Sequence, residues 1–354
     1  MSVLTRYIML EVIKGAVVAE LVLLSLLTFF TFTDELGDLG QGDYGMLEIG
    51  QYLALSLPRE FYELMPSAAL LGGIVVLGSM ANQRELVGMQ AAGVSRAQII
   101  KMVLMAGTVL VALSVVIGEY VAPVTERASH MLKTTAMKEE VASQTKYGFW
   151  VRDGDVFINI RRVLKQDDLG DISIYELGEG QRLESAVHAD RARYANQEWK
   201  LEGIRTSRFE REDVSSSRAN TMDWVSRLAP DLLNVFVFRP ENLSSTELAR
   251  YVGYLKENGQ ATLAAEKALW DRIINPIVTL TMLMVALPMV LAVRRETSFG
   301  QRIIVGITIG LGFYLANRMF GHFGLIYEMN PIFTASFPAG LVLMVTALRL
   351  AWAR

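Results

Sequence analysis

The chain has 354 residues, of which 52% are hydrophobic and 20% charged, with a formal net charge of −3 and no cysteine. The near-neutral charge argues against a nucleic-acid-binding surface, which needs a basic excess. The lack of cysteine excludes disulfides, thiolate metal sites and cysteine nucleophiles. Residues 124–270 carry 23 of the 37 acidic and 21 of the 34 basic side chains, which predicts a charged domain inserted into a membrane protein.

Six segments are apolar over the roughly 20 residues that a helix needs to cross a hydrocarbon core of about 30 Å. Their predicted limits are residues 15–33, 64–83, 102–121, 273–293, 303–321 and 329–348. Three precede the charged domain and three follow it, and the first lacks the features of a cleavable signal peptide. The predicted fold class is an α-helical membrane protein with six transmembrane helices (3+3) and an inserted extracytoplasmic domain.

The positions of Lys and Arg predict the orientation, because short cytoplasmic loops are enriched in these residues. With the N-terminus inside, the cytoplasmic segments contain Arg6, Lys14, Arg84, Arg96, Lys101, Arg294, Arg295, Arg302, Arg349 and Arg354. The opposite loop, residues 34–63, has Arg59 alone against seven acidic residues. Both termini are therefore expected in the cytoplasm and residues 124–270 outside.

The apolar period changes from helical to about two inside the charged domain, which is typical of half-buried strands. The predicted strands lie at residues 149–151 and 156–160, joined by a turn at Asp153-Gly154, and at 171–177, 189–195, 199–204, 206–210, 220–225 and 234–238. Short antiparallel strands of this kind predict a sandwich or a β-jellyroll. Ser244 and Glu247 then form a capping box, and Gly259 a stop, for a connecting helix.

Four domains follow from these elements. They are an N-terminal transmembrane half (1–123), a β-rich jellyroll domain (124–243), a connecting helix (244–270) and a C-terminal transmembrane half (271–354).

The loop between the second and third spans is predicted to hold a short amphipathic helix at about residues 82–93. The residues expected to serve a cytoplasmic partner are Arg84, Glu85, Leu86, Met89 and Gly93. A simple turn would also connect the two spans, but it would not need to expose a Leu and a Met beside a charge pair. Such a helix suits docking into a groove. Its predicted stop at Gly93 is followed by a capping box at Ser95 and Gln98.

The sequence contains no P-loop, no H-E-x-x-H pair and no nucleophile elbow. The histidines, His130, His188 and His322, are isolated from one another in sequence. The chain is therefore expected to be no enzyme, to carry no cofactor or metal of its own, and to depend on another chain for any use of ATP.

Five segments, taken together and in order, point to a known family. They are RYI at residues 6–8, GQGDY at 40–44, PSAALLGG at 66–73, SMANQRELVGMQAAG at 79–93 and GEYVAP at 118–123. With the order of three spans, a large outside domain and three spans, the whole chain resembles the LptF/LptG permease family, and the LptG branch more closely.

The resemblance implies one half of the permease of an ABC exporter, which extracts lipopolysaccharide from the bacterial inner membrane and passes it toward a periplasmic bridge. The implied partners are an LptF-like sister permease, an LptB-like ATPase dimer that binds ATP and Mg²⁺, and an LptC-like bitopic protein. The outside domain is then a periplasmic β-jellyroll. The loop helix becomes the coupling helix that enters the ATPase groove, with Glu85 as its acidic residue.

The resemblance also implies that spans one and five form the lateral openings for lipid. The candidate gate or cavity residues are Leu23, Leu27, Phe30, Gly306, Gly310, Phe313 and Arg318. Gly306 and Gly310 allow close approach of another helix, which fits ordinary packing as well as a moving gate. Arg318 lies about 24 Å along its helix from Arg302, so it either contacts a lipid phosphate or extends to the interface.

At the outer end of span one, where some relatives carry basic residues, this sequence has Thr31, Asp34, Glu35 and Asp38. No phosphate-binding role is expected for that segment. Two other functions remain open: a mechanotransmission or interaction subunit that moves no lipid, and a membrane enzyme acting on envelope lipids. The missing acid, base and metal clusters argue against the enzyme.

Overall fold

Six of the described helices are long and apolar enough to cross a membrane. The computed structural model describes residues 3–137, 148–165, 167–178, 180, 182–195, 198–209, 213–224, 240–292 and 299–352. The helices are α1 (Val3–Glu35), α2 (Met46–Asn82), α3 (Glu85–Ala91), α4 (Arg96–Val116), α5 (Ala122–Ala136), α6 (Ser245–Glu257), α7 (Leu263–Ala292), α8 (Phe299–Ile326) and α9 (Pro331–Trp352). The six apolar helices, three on each side of an antiparallel sheet in chain order, confirm the predicted fold class. The chain is a multi-pass membrane protein.

The chain divides into two compact units. The membrane unit comprises Met1–Gly37, Leu53–Glu126 and Glu266–Arg354, and the sheet unit comprises Asp38–Tyr52 and Arg127–Ala265. Residues 38–52 group with the sheet unit, and residues 266–270 group with the membrane unit. The four predicted domains and their limits stay predictions.

The helices extend beyond the predicted apolar segments. α2 begins at Met46, so the segment 34–63, predicted as a loop, is largely helical in its second half. The helix of the third span continues through α5 to Ala136, and that of the fourth begins at Leu263. A helix that has nucleated gains one hydrogen bond for each added residue, even where the side chains are charged. The apolar windows therefore mark the membrane-crossing part of each helix and miss its polar ends.

α1 crosses α2 at very close range inside the membrane unit. A Cβ on Gly72 would lie 2.5 Å from the Cα of Ala16, and one on Gly15 would lie 3.0 Å from the carbonyl oxygen of Gly72. Only glycine permits such an approach of two backbones. The N-terminal half of α1 is anchored at this crossing, with Ile8 and Val12 buried in the apolar core of the unit.

Glu20 lies about one turn beyond the crossing and is only 2% exposed. Its sequence position, six residues and about 9 Å of helix beyond Lys14, predicts a solvated carboxylate at the inner interface, and this prediction is wrong because the side chain is buried. Glu20 continues the buried stripe of Val12 and Ala16, and neither carboxylate oxygen has a hydrogen-bond partner among the described residues. Because a buried polar group without a partner costs free energy, we expect Glu20 to destabilise the fold.

The third span contains a π-helical segment at Ile117–Val121, between α4 and α5. Arg272 of α7 donates to the carbonyl oxygen of Gly118 at 2.7 Å and to Glu119 Oε1 at 3.2 Å. The Tyr62 hydroxyl of α2 donates to the carbonyl oxygen of Arg272 at 3.2 Å. Segments of this kind interrupt the regular helical hydrogen bonds, and here side chains from spans two and four meet the interruption. The three spans are joined at this level by polar contacts.

The sheet unit is built on a six-stranded antiparallel sheet whose strands follow the chain order. The strands are β1 (Phe149–Asp153), β2 (Val156–Lys165), β3 (Asp168–Leu177), β4 (Leu183–Ala195), β5 (Glu198–Phe209) and β6 (Val214–Trp224). The predicted turn at Asp153-Gly154 is confirmed, because β1 and β2 pair as a hairpin. The strands predicted at 199–204 and 206–210 are one strand, β5. The strand predicted at 234–238 lies outside the described residues.

An irregularity runs across the sheet at Asp171, Asp190 and Gly203, which lie side by side on β3, β4 and β5 outside the regular pairing. Asp171 and Gly203 have positive φ angles of 53° and 69°. In a regular strand, residues three apart point to opposite faces, yet Leu169 and Ile172 are both fully buried. The alternation of inward and outward side chains is therefore shifted by one residue at this line, as in a β-bulge, and the apolar side chains stay on the core side. A sequence pattern in which apolar residues strictly alternate with polar ones does not predict this interruption.

α6 has its apolar face in the core of the sheet unit. It begins at the predicted capping box of Ser244 and Glu247 and ends directly before Asn258 and Gly259. Burial would raise the pKa of the Glu247 carboxyl, but hydrogen bonds from Ser244 and Arg127 outweigh it and hold that pKa below its ordinary value. The Arg127 guanidinium donates to Glu247 Oε1 at 2.5 Å. The ionised carboxylate therefore stabilises this end of α6.

Candidate functional site

The loop between spans two and three folds into the short helix α3, and residues with positive φ angles mark where the helix begins and ends. Arg84 precedes it in a left-handed conformation with a φ of 58°, and the helix starts at Glu85. At its other end Gly93 has a φ of 92°, and the Val94 N–H donates to the carbonyl oxygen of Met89 at 3.0 Å. This six-to-one bond belongs to a Schellman motif, in which glycine is favoured. The next helix then begins at its predicted capping box.

Two apolar side chains of α3, Leu86 and Met89, face the protein's own core. Leu86 is 4% exposed, and Met89 packs against the same apolar cluster. The expectation that Leu86 is displayed to a partner was therefore wrong, because this side chain holds the helix on the membrane unit, whereas Met89 is half-buried and its contact with a partner stays a prediction. The outward face instead carries Val87, which is 62% exposed, next to Gly88 and the exposed Arg84.

Glu85 is connected directly to span one. The Tyr7 hydroxyl donates to Glu85 Oε2 at 3.0 Å, although the two residues are 78 positions apart in sequence. The first carboxylate of α3 is thereby tied to α1, while Leu86 ties the same turn to the core.

The gate residues predicted in span one lie in different environments. Leu23 and Leu27 are half-buried, whereas Phe30 is 56% exposed. In the apolar window of this span only 11% of the residues are buried. The C-terminal half of α1 is therefore left largely uncovered by the rest of the described chain.

The two glycines predicted in span five pack within the chain. A Cβ on Gly306 would lie 2.7 Å from Leu71 Cδ2, and one on Gly310 would lie 3.7 Å from Leu70 Cδ2. Phe313 packs against the core of the membrane unit. The structure therefore brings Gly306, Gly310 and Phe313 together on the side of α8 that contacts α2.

Arg318 is separate from this packed side. Its guanidinium is exposed and donates to the Tyr314 hydroxyl, one turn away, at 2.7 Å. In span five, only 6% of the residues of the apolar window are buried within the chain. Arg318 is thus a cation on an exposed face of a membrane-crossing helix.

Sequence reasoning missed Tyr7 and Arg272, whose contacts join distant parts of the chain. Both Tyr7 and the Gly118-Glu119 pair that Arg272 contacts lie in segments that signalled the family, RYI and GEYVAP, without a role for the individual side chains. In the described part of the chain no group of three or more His, Asp or Glu side chains could hold a metal ion.

Comparison with known proteins agrees with this architecture over nearly the whole chain. Residues 6–352 match the model of the family described as "Lipopolysaccharide export system permease LptF/LptG". The permease protein LptG of the lipopolysaccharide export system of Escherichia coli K12 is 33% identical over 348 residues, which cover 98% of this chain and 97% of that protein. LptG of Haemophilus influenzae Rd is 31% identical over 347 residues, covering 97% of each chain. The chain belongs to the LptF/LptG family of lipopolysaccharide export permeases.

Proposed function

We propose that the chain is one half of an ABC-type permease that extracts lipopolysaccharide from the bacterial inner membrane and passes it toward a periplasmic bridge. The sheet unit is then periplasmic and both termini are cytoplasmic. The other half is an LptF-like sister chain, an LptC-like bitopic protein joins the pair, and ATP and Mg²⁺ are bound by an LptB-like ATPase dimer. Membership of the family and the six apolar helices support this assignment.

The observation that carries the coupling mechanism is the Tyr7 to Glu85 hydrogen bond. In the proposed cycle, closure of the ATPase dimer presses on the outward face of α3. Leu86 anchors α3 in the apolar core, and Glu85 of α3 is bonded to Tyr7 of α1. A force on α3 is therefore transmitted to α1. The outer half of α1, beyond the glycine crossing with α2, then changes position against its neighbours.

The lateral openings are proposed at spans one and five. Both helices have almost entirely unburied apolar windows, as surfaces that face lipid or a sister subunit would have. The packed glycines of α8 anchor one side of span five on α2, and the opposite side is left to form the opening. Phe30 and Arg318, both exposed, are the proposed contacts of these helices with the lipid.

Charge reversal at α3 tests the coupling. The variant Glu85→Lys, reconstituted with its partner chains in lipid vesicles, is expected to lose most ATP-driven release of lipopolysaccharide, because it breaks the bond to Tyr7 and inverts the charge at the helix start. Glu257→Lys makes the same charge change at an exposed position of α6 and serves as the matched control. Normal assembly and normal release with Glu85→Lys would contradict the proposal.

Arg318 is proposed to contact a phosphate of the transported lipid. Replacement by Ala is expected to reduce the lipopolysaccharide that co-purifies with the complex, since a charge-assisted contact in a membrane is lost. Tyr314→Phe removes the neighbouring hydroxyl and keeps the cation, so it should retain the lipid. Equal amounts of lipid with Arg318→Ala and with the natural chain would rule out the contact.

A further inference from the structure

The face of the β-sheet that is turned away from its apolar core carries an ordered set of polar and aromatic side chains. The cross-strand pairing places one residue from each strand in a single line, and this line is formed by Trp150, Asn159, Ser173, His188, Arg205 and Arg218. The adjacent line is formed by Arg152, Phe157, Tyr175, Ala186, Ser207 and Ser216. We call these two lines the polar face. Neither coupling nor gating uses it.

A depression of about 400 Å³ lies at the centre of the polar face. Its polar lining is formed by Ser173, Tyr175, His188, Arg205 and Ser207. Ser173 Oγ and His188 Nδ1 are 3.2 Å apart, so these two groups are held in a fixed arrangement. Two serine hydroxyls, a phenol, an imidazole and a guanidinium within one shallow depression suit a ligand rich in hydroxyl groups and anionic oxygens.

An aromatic surface borders the depression. The rings of Trp150 and Tyr175 lie 5.6 Å apart at 30°, and Trp150 is 55% exposed. The exposed ring of Trp150 beside Tyr175 provides a flat apolar surface on which a ligand can stack. Flat aromatic rings beside hydroxyl and guanidinium groups provide the two contacts that a sugar makes, through its C–H face and through its oxygens.

The charges of this region favour an anionic ligand. The carboxylates of Asp171 and Asp190 flank His188, and they pair with Arg161 and Arg205 at 3.5 and 3.4 Å. These long distances leave the two guanidinium groups with donors to spare. Arg152 and Arg218 of the polar face add two further cations, so the groups named here comprise four guanidinium groups and two carboxylates.

We propose that the polar face binds the phosphorylated oligosaccharide of the transported glycolipid while it passes the sheet unit. Arg205 and His188 would contact phosphate oxygens, the serines would contact sugar hydroxyls, and Trp150 with Tyr175 would stack on a sugar ring. This inference rests on the proposed function, because that function supplies the glycolipid.

The test uses the full chain in its reconstituted complex, embedded in nanodiscs. Lipid-free phosphorylated core oligosaccharide, released from lipopolysaccharide by mild acid, is titrated by calorimetry, with neutral maltoheptaose and inorganic phosphate as comparisons. We expect the oligosaccharide to bind more tightly than either. Arg205→Gln should weaken binding by about tenfold, the size of one charge-assisted contact. Arg208→Gln, an exposed arginine of the same strand whose position faces the other side of the sheet, should leave binding unchanged.

Trp150→Ala is the second variant, expected to weaken binding by about tenfold at an exposed position outside the apolar core of the sheet unit. The proposal is overturned if the oligosaccharide does not bind, if phosphate or maltoheptaose binds as tightly, or if both arginine variants behave alike. Lipopolysaccharide release is measured on the same preparations. Release without oligosaccharide binding would overturn this inference alone, whereas oligosaccharide binding without ATP-driven release would overturn the proposed function alone.

Discussion

The close crossing of α1 and α2 can be tested by adding one methyl group. In Gly72→Ala the new Cβ would lie 2.5 Å from the Ala16 Cα, whereas ordinary contacts begin at 3.4 Å. The helices must therefore separate by about 1 Å. Overpacking of this kind costs about 1–3 kcal/mol, and we expect the upper part of that range because a backbone cannot rotate away as a side chain can. The gain in helix propensity, about 1 kcal/mol, offsets only part of this cost.

Thermal unfolding in detergent, followed by tryptophan fluorescence, measures the effect. A change of 1 kcal/mol shifts the midpoint by about 2–4 °C in chains of 150–250 residues and by less in longer ones, so we expect Gly72→Ala to lower it by at least about 2 °C. Gly50→Ala, in the same helix with no atom within 4 Å of its new Cβ, should leave the midpoint unchanged or raise it. Equal unfolding midpoints for Gly72→Ala and Gly50→Ala would refute the close crossing of α1 and α2.

Three further variants probe the charged and polar groups. Tyr7→Phe removes the hydrogen bond to Glu85, so ATP-driven release should fall while ATP hydrolysis continues; equal losses of both would argue against a coupling role. Glu20→Leu replaces a buried carboxylate that has no hydrogen-bond partner among the described residues, and should raise the thermal midpoint by an amount equivalent to about 1–3 kcal/mol; an unchanged or lower midpoint would contradict this. Glu247→Gln should destabilise the chain at neutral pH. Because the folded-state pKa of Glu247 is lowered, its contribution is complete above the ordinary value of 4.5 and is lost as the pH falls through the lowered value. The midpoints of Glu247→Gln and the natural chain should therefore converge in acid, and a constant difference would contradict this assignment.

Local motifs in the sequence predicted local structure well. The capping boxes at Ser95 and Ser244 both form, since each needs only residues within one helical turn. Gly93 adopts the left-handed conformation expected of a helix stop. The positions of the six spans follow from the length of the apolar segments, because the membrane thickness sets that length.

The sequence failed where two distant segments decide the outcome. Leu86 and Glu20 were expected at exposed positions and are buried, because a helical pattern shows that residues share a face but not what that face meets. The contact of Tyr7 with Glu85 spans 78 positions, and that of Arg272 with Gly118 spans 154. No periodicity within one helix contains information about such pairs.

By itself the sequence determined the number of membrane spans, the β-rich nature of the inserted domain and the family. These properties depend on composition, on segment length and on motifs read in order. The tertiary structure alone decided that α3 rests on its own chain, that the span-five glycines pack on α2, and that six strands align the residues of the polar face. Each of these depends on which surfaces meet in the folded chain, because apolar area is removed from water only where two surfaces come into contact.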